Sequence, residues 1–375
     1  MVNCRLFYEL LLQQGVGFFT GVPDSLLQDF CAYIMDHAGA DNHVIAANEG
    51  GAAALACGHY LATGDIGLVY MQNSGQGNAV NPLVSLADPE VYSIPILLLI
   101  GWRGEPGKKD EPQHIKQGRI TLSLLDALGV SYRILPDTIE ESEKCLEEIF
   151  ALMKQGHCPA GLIVRKGTFE PYVLRRNSER HFELEREEAI KLVVDNLAPL
   201  DIVVSTTGKI SRELYAYRDQ TKDGHMKDFL TVGSMGHCSQ IALGIALAKP
   251  ERQVFCLDGD GAVIMHMGAL AIAGSKGAAN FKHIIFNNGV HDSVGGQPTA
   301  GLAVSFTDIS RGCGYRLALQ AETRDEVVEK TALLRSSDGP ALLEIRVRTG
   351  AREDLGRPKS SPKDNKDDFM EFLAK

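Results

Sequence analysis

Short apolar runs punctuate the chain at regular intervals. In the first half they are GFFTGV (17–22), HVIAA (43–47), IGLVYM (66–71), IPILLLIG (94–101), VSYRIL (130–135) and GLIVRK (161–166). Each is too short for a helix core and most lack the alternation of a half-exposed strand, so they read as strands buried on both faces. Between them, 24–38, 49–63, 78–87, 117–128 and 139–155 carry amphipathic or alanine-rich helical patterns. Apolar strands spaced by helices predict a doubly wound parallel sheet, the α/β class.

The rhythm breaks in a polar, Arg- and Glu-rich stretch and then restarts. DIVVST (201–206), FLTVGS (229–234), QVFCLDG (253–259), KHIIFNN (282–288), YRLALQ (315–320) and ALLEIRV (341–347) read as a second set of strands, with helices at 187–197, 236–248, 265–276 and 324–335 among those between. The boundaries expected are a first domain over 1–170, a linker over 171–187, a second domain over 188–350 and a tail over 351–375. The two halves end alike, each with an acid-rich helix start, a Pro-small turn and a last strand (140–167 and 322–350). That is the pattern of two domains of similar architecture, though any two α/β domains can end so. The tail is polar and then briefly amphipathic, which suits either a mobile segment or a short packed helix.

Length and composition narrow the class. A chain of 375 residues exceeds one ordinary core, and 44% hydrophobic with 23% charged residues suits a globular protein. The net charge of −10 disfavours a nucleic-acid partner. No run of about 18 apolar residues predicts a transmembrane helix. The first 19 residues mix acid, base and apolar positions, so they read as an amphipathic helix entering a strand and not as a signal peptide. Eight scattered cysteines, none in a C-x-x-C pair, point to reduced buried thiols and a cytoplasmic location.

Chemistry concentrates at the strand ends. QVFCL runs into Asp258-Gly259-Asp260-Gly261. At the carboxyl edge of an open α/β sheet, glycines let backbone approach a phosphate, and the following helix offers free N–H groups. Asp260 can then hold a divalent metal on the same phosphates, for which hard oxygen ligands suit magnesium or calcium. HIIF ends 28 residues later than Asp260 at Asn287-Asn288-Gly289, and a strand–helix–strand crossover returns that end to the same edge. Either Gly-Asp-Gly or Asn-Asn-Gly alone is an ordinary turn. The pair at this separation is far more specific.

Gly-Asp-Gly followed by Asn-Asn at a strand end resembles the diphosphate–metal motif of the thiamine diphosphate enzymes. The resemblance implies a cofactor of thiamine diphosphate with Mg²⁺, held by Asp260, Asn288 and the backbone oxygen of Val290. The spacing is one residue longer than the usual one, which an insertion near Ala278-Ala279 would explain and which leaves Asn287 as a fallback ligand. Other parts of the motif set follow. HVIAANEGGAAALACG places Glu49 where the family has its pyrimidine-activating carboxylate, although a helix-starting Glu is also favoured by the dipole. TVGSMGHCS places Gly233, Ser234 and Met235 against the pyrimidine, and VVSTTGK places Thr207 and Gly208 near the diphosphate. Gly259, Gly261 and Ala262 complete the metal turn, and QNSGQGNAVNPL adds Asn73 and Gln76 as cofactor-binding residues. Structural roles compete for several of these, as a core methionine at Met235 and a cap at Thr207.

The short linker leaves no room for the third, central domain of larger family members. The chain resembles instead the two-domain decarboxylases of three-carbon keto acids bearing a phosphonate or a sulfonate, with a small-molecule phosphonate keto acid as the expected substrate. That substrate is doubly acidic, so a basic pocket must exist within an acidic protein. WRGEPGKKDEPQHIKQG (102–118) gathers Arg103, Lys108 and His114 in a Gly/Pro-rich loop after a strand, although Glu105, Asp110 and Glu111 offset the charge. Ser25, after Asp24 at another strand end, matches a position that contacts the substrate carboxylate, or caps a helix. His237 and His291 are candidate proton relays or anion contacts; His266 reads as packing. The resemblance also implies a homodimer with the active site at the subunit interface. A nucleotide- or flavin-binding protein without catalysis would explain the glycines but not Glu49, Met235 and the Asp260–Asn288 pair together.

Overall fold

The computed structural model describes residues 1–175 and 181–375, so part of the expected linker, 176–180, lies outside the described residues. The chain divides into two compact units, Met1–Ser178 and Glu179–Lys375.

The first unit holds six parallel strands: β1 (Phe18–Gly21), β2 (His43–Ile45), β3 (Gly67–Gln72), β4 (Leu97–Gly101), β5 (Ser131–Ile134) and β6 (Ala160–Val164), in the order β2-β1-β3-β4-β6-β5. Its helices are α1 (Cys4–Gln13), α2 (Gln28–His37), α3 (Glu49–Thr63), α4 (Gln76–Pro82), α5 (Pro112–Ala127) and α6 (Ile139–Gly156). β4 shows why the strands are apolar throughout. Leu97 and Leu99 pack with Phe7, Phe30 and Phe150 on one face, while Leu98 and Ile100 pack with Ala52, Ala53 and Ala56 of α3 on the other. Small residues let α3 lie close to the sheet: a Cβ on Gly67 would stand 3.0 Å from that of Ala56.

The second unit holds β7 (Ile202–Ser205), β8 (Asp228–Leu230), β9 (Val254–Gly259), β10 (Phe281–Asn287), β11 (Leu317–Ala321) and β12 (Ala341–Arg346), again all parallel, in the order β11-β12-β10-β9-β7-β8. Numbered from its own first strand and read from the β8 edge, this is the strand order of the first unit. Around it lie α7 (Arg186–Asp195), α8 (Lys209–Thr221), α9 (Cys238–Ala248), α10 (Asp260–Met265), α11 (Gly268–Lys276), α12 (Phe306–Gly312), α13 (Arg324–Ser336) and α14 (Pro362–Ala374). Phe255 and Leu257 of β9 face one core, and Val254 and Cys256 face the other. The tail therefore ends as a packed helix. Asn365 of α14 completes the edge strand β8, accepting from Leu230 N at 3.0 Å and donating to Asp228 O at 2.8 Å, and Phe369 is buried.

Helix starts depart from the sequence pattern in places. α2 begins at Gln28 and not at 24, because residues 25–27 form a turn in which Leu27 N donates to Asp24 O and Leu26 N to the Asp24 carboxylate. α5 begins at Pro112, five residues ahead of expectation, with proline in its first turn. The stretch expected as one helix over 265–276 is preceded by a separate short helix that starts at Asp260 itself. Among the described residues, no helix is long and apolar enough to cross a membrane.

Candidate active site

In the first unit, the strand ends form a network of buried polar groups. Glu49 opens α3 and is almost fully buried. Asn78 of α4 donates to its Oε2 at 2.7 Å, and Gly75 is pressed so close that a Cβ there would lie 2.3 Å from Oε1. Only glycine fits against this carboxylate, which stands at a helix N-terminus where the dipole favours negative charge. Asn73, at the end of β3, ties down the loop after β4: its amide donates to Arg103 O and to Thr121 Oγ1, both at 2.8 Å, and its oxygen accepts from Arg103 N. Gln76 donates to Thr121 O at 3.3 Å, while its Oε1 is buried without a partner.

Asp24 is fully buried and accepts from Gln72 Nε2 at 2.7 Å; burial raises its pKa against these hydrogen bonds. Next to it, Ser25 Oγ accepts from Arg103 Nη1 at 2.8 Å. The same guanidinium grips Asp110 with Nε and Nη2, and this pairing holds the Asp110 carboxyl down at about 2. His114 lies beside the pair. Burial and then the Arg103 charge lower its pKa to about 4, so it is neutral near pH 7. The structure thus joins Asp24, Ser25, Arg103 and His114 around one loop. Lys108 sits exposed on the same loop.

In the second unit, β7 leads to Thr207-Gly208. Gly208 adopts φ +96° ahead of α8, and a Cβ there would meet Ser293 Oγ at 3.2 Å. The turn 233–237 is tight, with Ser234 at φ +49° and Gly236 at φ +85°. Its His237 sits 3.2 Å from both Ser234 O and Met235 O through Nδ1, so that nitrogen donates and Nε2 is left as the acceptor of the neutral ring. The His266 ring packs against it at 4.6 Å between centroids.

Asp260 starts α10 and is buried. Thr299 Oγ1 donates to its carboxylate, and the backbone N–H groups of Asp260, Asn288 and Gly261 also favour its charged form. Burial nonetheless raises its pKa to about 6. The groups that act on it most strongly include no lysine or arginine. Both Asp260 Oδ2 and Asn287 Oδ1 crowd Gly301, at 2.4 and 2.8 Å from where its Cβ would be, so the two oxygens converge. Asn287 also donates to Gly301 O and to the buried Glu344, each at 2.8 Å. The Asn288 oxygen accepts from Val290 N at 3.1 Å and its nitrogen donates to Asp292 at 2.9 Å. His291 rests against Gly261, its ring 3.0 Å from a Cβ placed there, and burial lowers its pKa to about 4.

The donor set fits a divalent cation bearing a diphosphate. Its donors are a carboxylate, amide oxygens and a carbonyl, all hard oxygen ligands suited to magnesium. A carboxylate whose pKa rises on burial for want of a cation is one that an added cation would restore. The protein itself makes little demand for glycine at 259: φ is −113° and a Cβ would meet only Ile210 at 3.6 Å, an ordinary contact. Nearby, both ends of the buried Gln297 amide lack a partner, a cost of about 1–3 kcal/mol that a ligand could relieve.

Sequence reasoning missed Thr299, Gln297, Glu344 and Asp292 here, and Asn78 and Gln72 in the first unit. The signal for the first two was the polar, Gly-rich GGQPTAG that follows the Asn-Asn turn. Glu344 carried one as well, a lone acid inside an apolar strand.

Comparison with known proteins agrees with this division. Residues 3–124 match the N-terminal TPP-binding domain of thiamine pyrophosphate enzymes, and residues 206–345 match the C-terminal TPP-binding domain. The chain is similar to phosphonopyruvate decarboxylases from Streptomyces viridochromogenes and Streptomyces hygroscopicus, at 36% identity over 96% of this chain and 92% and 91% of theirs. It is also similar to sulfopyruvate decarboxylase from Methanosarcina acetivorans, at 26% identity over 86% of this chain and 85% of that one. With both TPP-binding domains matched, N-terminal then C-terminal, the chain belongs to the thiamine pyrophosphate-dependent decarboxylase family.

Proposed function

We propose that the chain decarboxylates 3-phosphonopyruvate without oxidation, giving 2-phosphonoacetaldehyde and CO₂ with uptake of one proton. The identity of 36% over 375 residues to a phosphonopyruvate decarboxylase, against 26% over 345 residues to one sulfopyruvate decarboxylase and 36% over only 131 residues to a sulfopyruvate decarboxylase beta subunit, supports the phosphonate over the sulfonate. The cofactor reading is carried by Asp260, buried with a raised pKa and with its Oδ2 converging on Asn287 Oδ1. Asp260, Asn288 (or Asn287) and the Val290 carbonyl would hold Mg²⁺, with Thr207, Gly208, Gly259, Gly261 and Ala262 about the diphosphate. Gly233, Ser234 and Met235 would face the pyrimidine. When bound, thiamine diphosphate supplies the electron sink that a 2-keto acid needs to lose CO₂.

Glu49 would hold and return a proton at the pyrimidine, its carboxylate fixed by Asn78 and Gly75. Ser25, set by Arg103 and Asp24, would hydrogen-bond the substrate carboxylate. Lys108, on the exposed part of its loop, would meet the phosphonate with Arg103. His114 and His291, neutral near pH 7, would offer hydrogen bonds but no charge. His237 would act through Nε2, since Nδ1 is committed to backbone carbonyls.

We further infer a homodimer in the cytoplasm. Exposed Leu55 and Leu61 on α3, with Leu247 on α9 and Ile272 on α11, leave apolar helix faces that a second copy would cover, and all eight cysteines are free thiols. Sedimentation would test the assembly: a catalytically competent monomer contradicts it. For the substrate, kcat/KM measured side by side on phosphonopyruvate and sulfopyruvate decides; preference for the sulfonate overturns the proposal.

A further inference from the structure

We propose that Asp292 is a positioning residue that presents the oxygen of the Asn288 amide, and not its nitrogen, to the metal. The proposal rests on the reading of Asn288 as a magnesium ligand. The two ends of an amide are nearly isosteric, so something must decide which faces the cation. A carboxylate only accepts, and Asp292 Oδ2 takes the Asn288 Nδ2–H at 2.9 Å. At the other end, Val290 N donates to Asn288 Oδ1 at 3.1 Å. A flipped amide would set oxygen against carboxylate and N–H against N–H, so both neighbours enforce one orientation.

Asp292 is itself held from three further sides. Arg186 Nη1 donates to Oδ2 at 2.8 Å, Gly350 N donates to the same carboxylate at 3.1 Å, and Lys209 Nζ lies at 3.9 Å. Arg186 is buried and grips Glu213 with its other nitrogens, so it cannot swing away from Asp292 without losing that pair. These contacts keep Asp292 fixed. Groups that orient a metal ligand in this way are typically worth about 10–100-fold in metal affinity.

The test is magnesium titration of the full chain, stripped with chelator, at fixed thiamine diphosphate. The melting temperature gives the magnesium midpoint, and kcat is read at saturating metal. Arg186 Nη1 and Asn288 Nδ2 donate to the same oxygen, Asp292 Oδ2, so Asp292→Asn could keep both bonds, and Asp292→Ala, which removes the acceptor, is the variant to test. Its midpoint should rise by about 10-fold or more, with kcat at saturating magnesium within about threefold of wild type. A midpoint within twofold of wild type overturns the proposal. Asp228→Asn, which breaks the buried pair with Arg218 at the far edge strand, controls for lost stability: it should melt earlier with an unchanged midpoint, and a rise equal to that of Asp292→Ala overturns the positioning role. If Asp292→Ala cannot be purified, Asp292→Leu replaces it, since it fills the space without an acceptor; an unchanged midpoint there is equally fatal. Asn288→Ala separates the two levels. If it leaves the midpoint unmoved, the ligand reading fails and this proposal with it; if it raises the midpoint while Asp292→Ala does not, only this proposal fails.

Discussion

Counted from the first strand of each unit, β3 and β9 occupy the same place in the same topology, yet β3 runs into Gln72-Asn73 and β9 into Asp258-Gly259-Asp260. The neighbouring strands diverge likewise: β4 ends at Gly101-Trp102-Arg103, and β10 at Asn287-Asn288. In the first unit the buried carboxylates of Asp24 and Glu49 each find an amide donor at 2.7 Å, from Gln72 and from Asn78. In the second, Asp260 has only a hydroxyl and backbone N–H groups, and its pKa stands near 6. The buried arginines described there are engaged elsewhere, Arg186 with Glu213 and Asp292, Arg218 with Asp228, and Arg252 with the backbone oxygens of Leu200 and Phe372. One scaffold thus carries two kinds of carboxylate. Glu49, held by the Asn78 amide, is one, suited to proton work, while Asp24 shares with Asp260 a pKa raised by burial. Asp260, the other, is left short of a cation, as a metal ligand would be.

The contrast breaks most visibly at Glu49. Glu49→Gln keeps the shape and an acceptor oxygen but cannot hold the proton, so turnover should fall by roughly 10³-fold or more while stabilisation by Mg²⁺ and thiamine diphosphate persists. Aldehyde release and thermal melts read the two effects, and near-normal turnover would undo the assignment.

Asp260→Asn should do the reverse. It removes a buried charge that the protein does not neutralise, so the metal-free melting temperature should hold or rise, while the stabilisation by Mg²⁺ and cofactor, about 2.7 kcal/mol at a hundredfold excess over Kd, disappears. Retained metal-dependent stabilisation would mean that Asp260 is no ligand.

A smaller effect falls on Gln297. Gln297→Met replaces an amide with no partners by an apolar chain of similar length, and should raise the metal-free melting temperature by a few degrees while shrinking the stabilisation by cofactor. A variant that melts earlier without ligand would show that the amide is satisfied after all.

The smallest effect is in pH. His43 and His114 have folded pKa values of about 4, lowered by burial, against 6.5 when unfolded. The unfolded chain therefore takes up protons first, so their contribution is intact above about pH 6.5 and is lost as pH falls towards 4. Melting temperature should decline over that window, and less steeply in His43→Gln and His114→Gln. A slope unchanged in both would contradict their burial as neutral rings.

The strands were legible because burial on both faces leaves an unbroken apolar run, as in IPILLLIG and QVFCL. α8 was not among the expected helices. Its inward face is Ile210, Ser211, Glu213, Leu214, Tyr215 and Arg218, so half of the buried period is polar, hidden by partners that come from Arg186 and Asp228. The candidate site divides the same way. Glu49 and Asp260 stand out because a carboxylate at a strand–helix junction beside glycines breaks an apolar pattern. Thr299 and Glu344 left a local signal, but their partners Asp260 and Asn287, like those of Asp292, lie across loops or adjacent strands and no local pattern records them. Arg103 was read as a substrate contact in a loop whose charge Glu105, Asp110 and Glu111 offset, and the sequence did not reveal that Asp110, seven residues on, would be the one to grip it.

The central claim is that the second unit's strand ends form a magnesium-diphosphate cup specific to one cofactor. Calorimetric titration of the metal-stripped chain with thiamine diphosphate, with and without Mg²⁺, and with a nucleotide or flavin in its place, tests it most directly. The account predicts one thiamine diphosphate per chain, bound only with Mg²⁺, abolished in Asp260→Asn and unmatched by nucleotide or flavin. Binding of a nucleotide or flavin in preference to thiamine diphosphate, or thiamine diphosphate binding indifferent to Mg²⁺ and to Asp260, would contradict it.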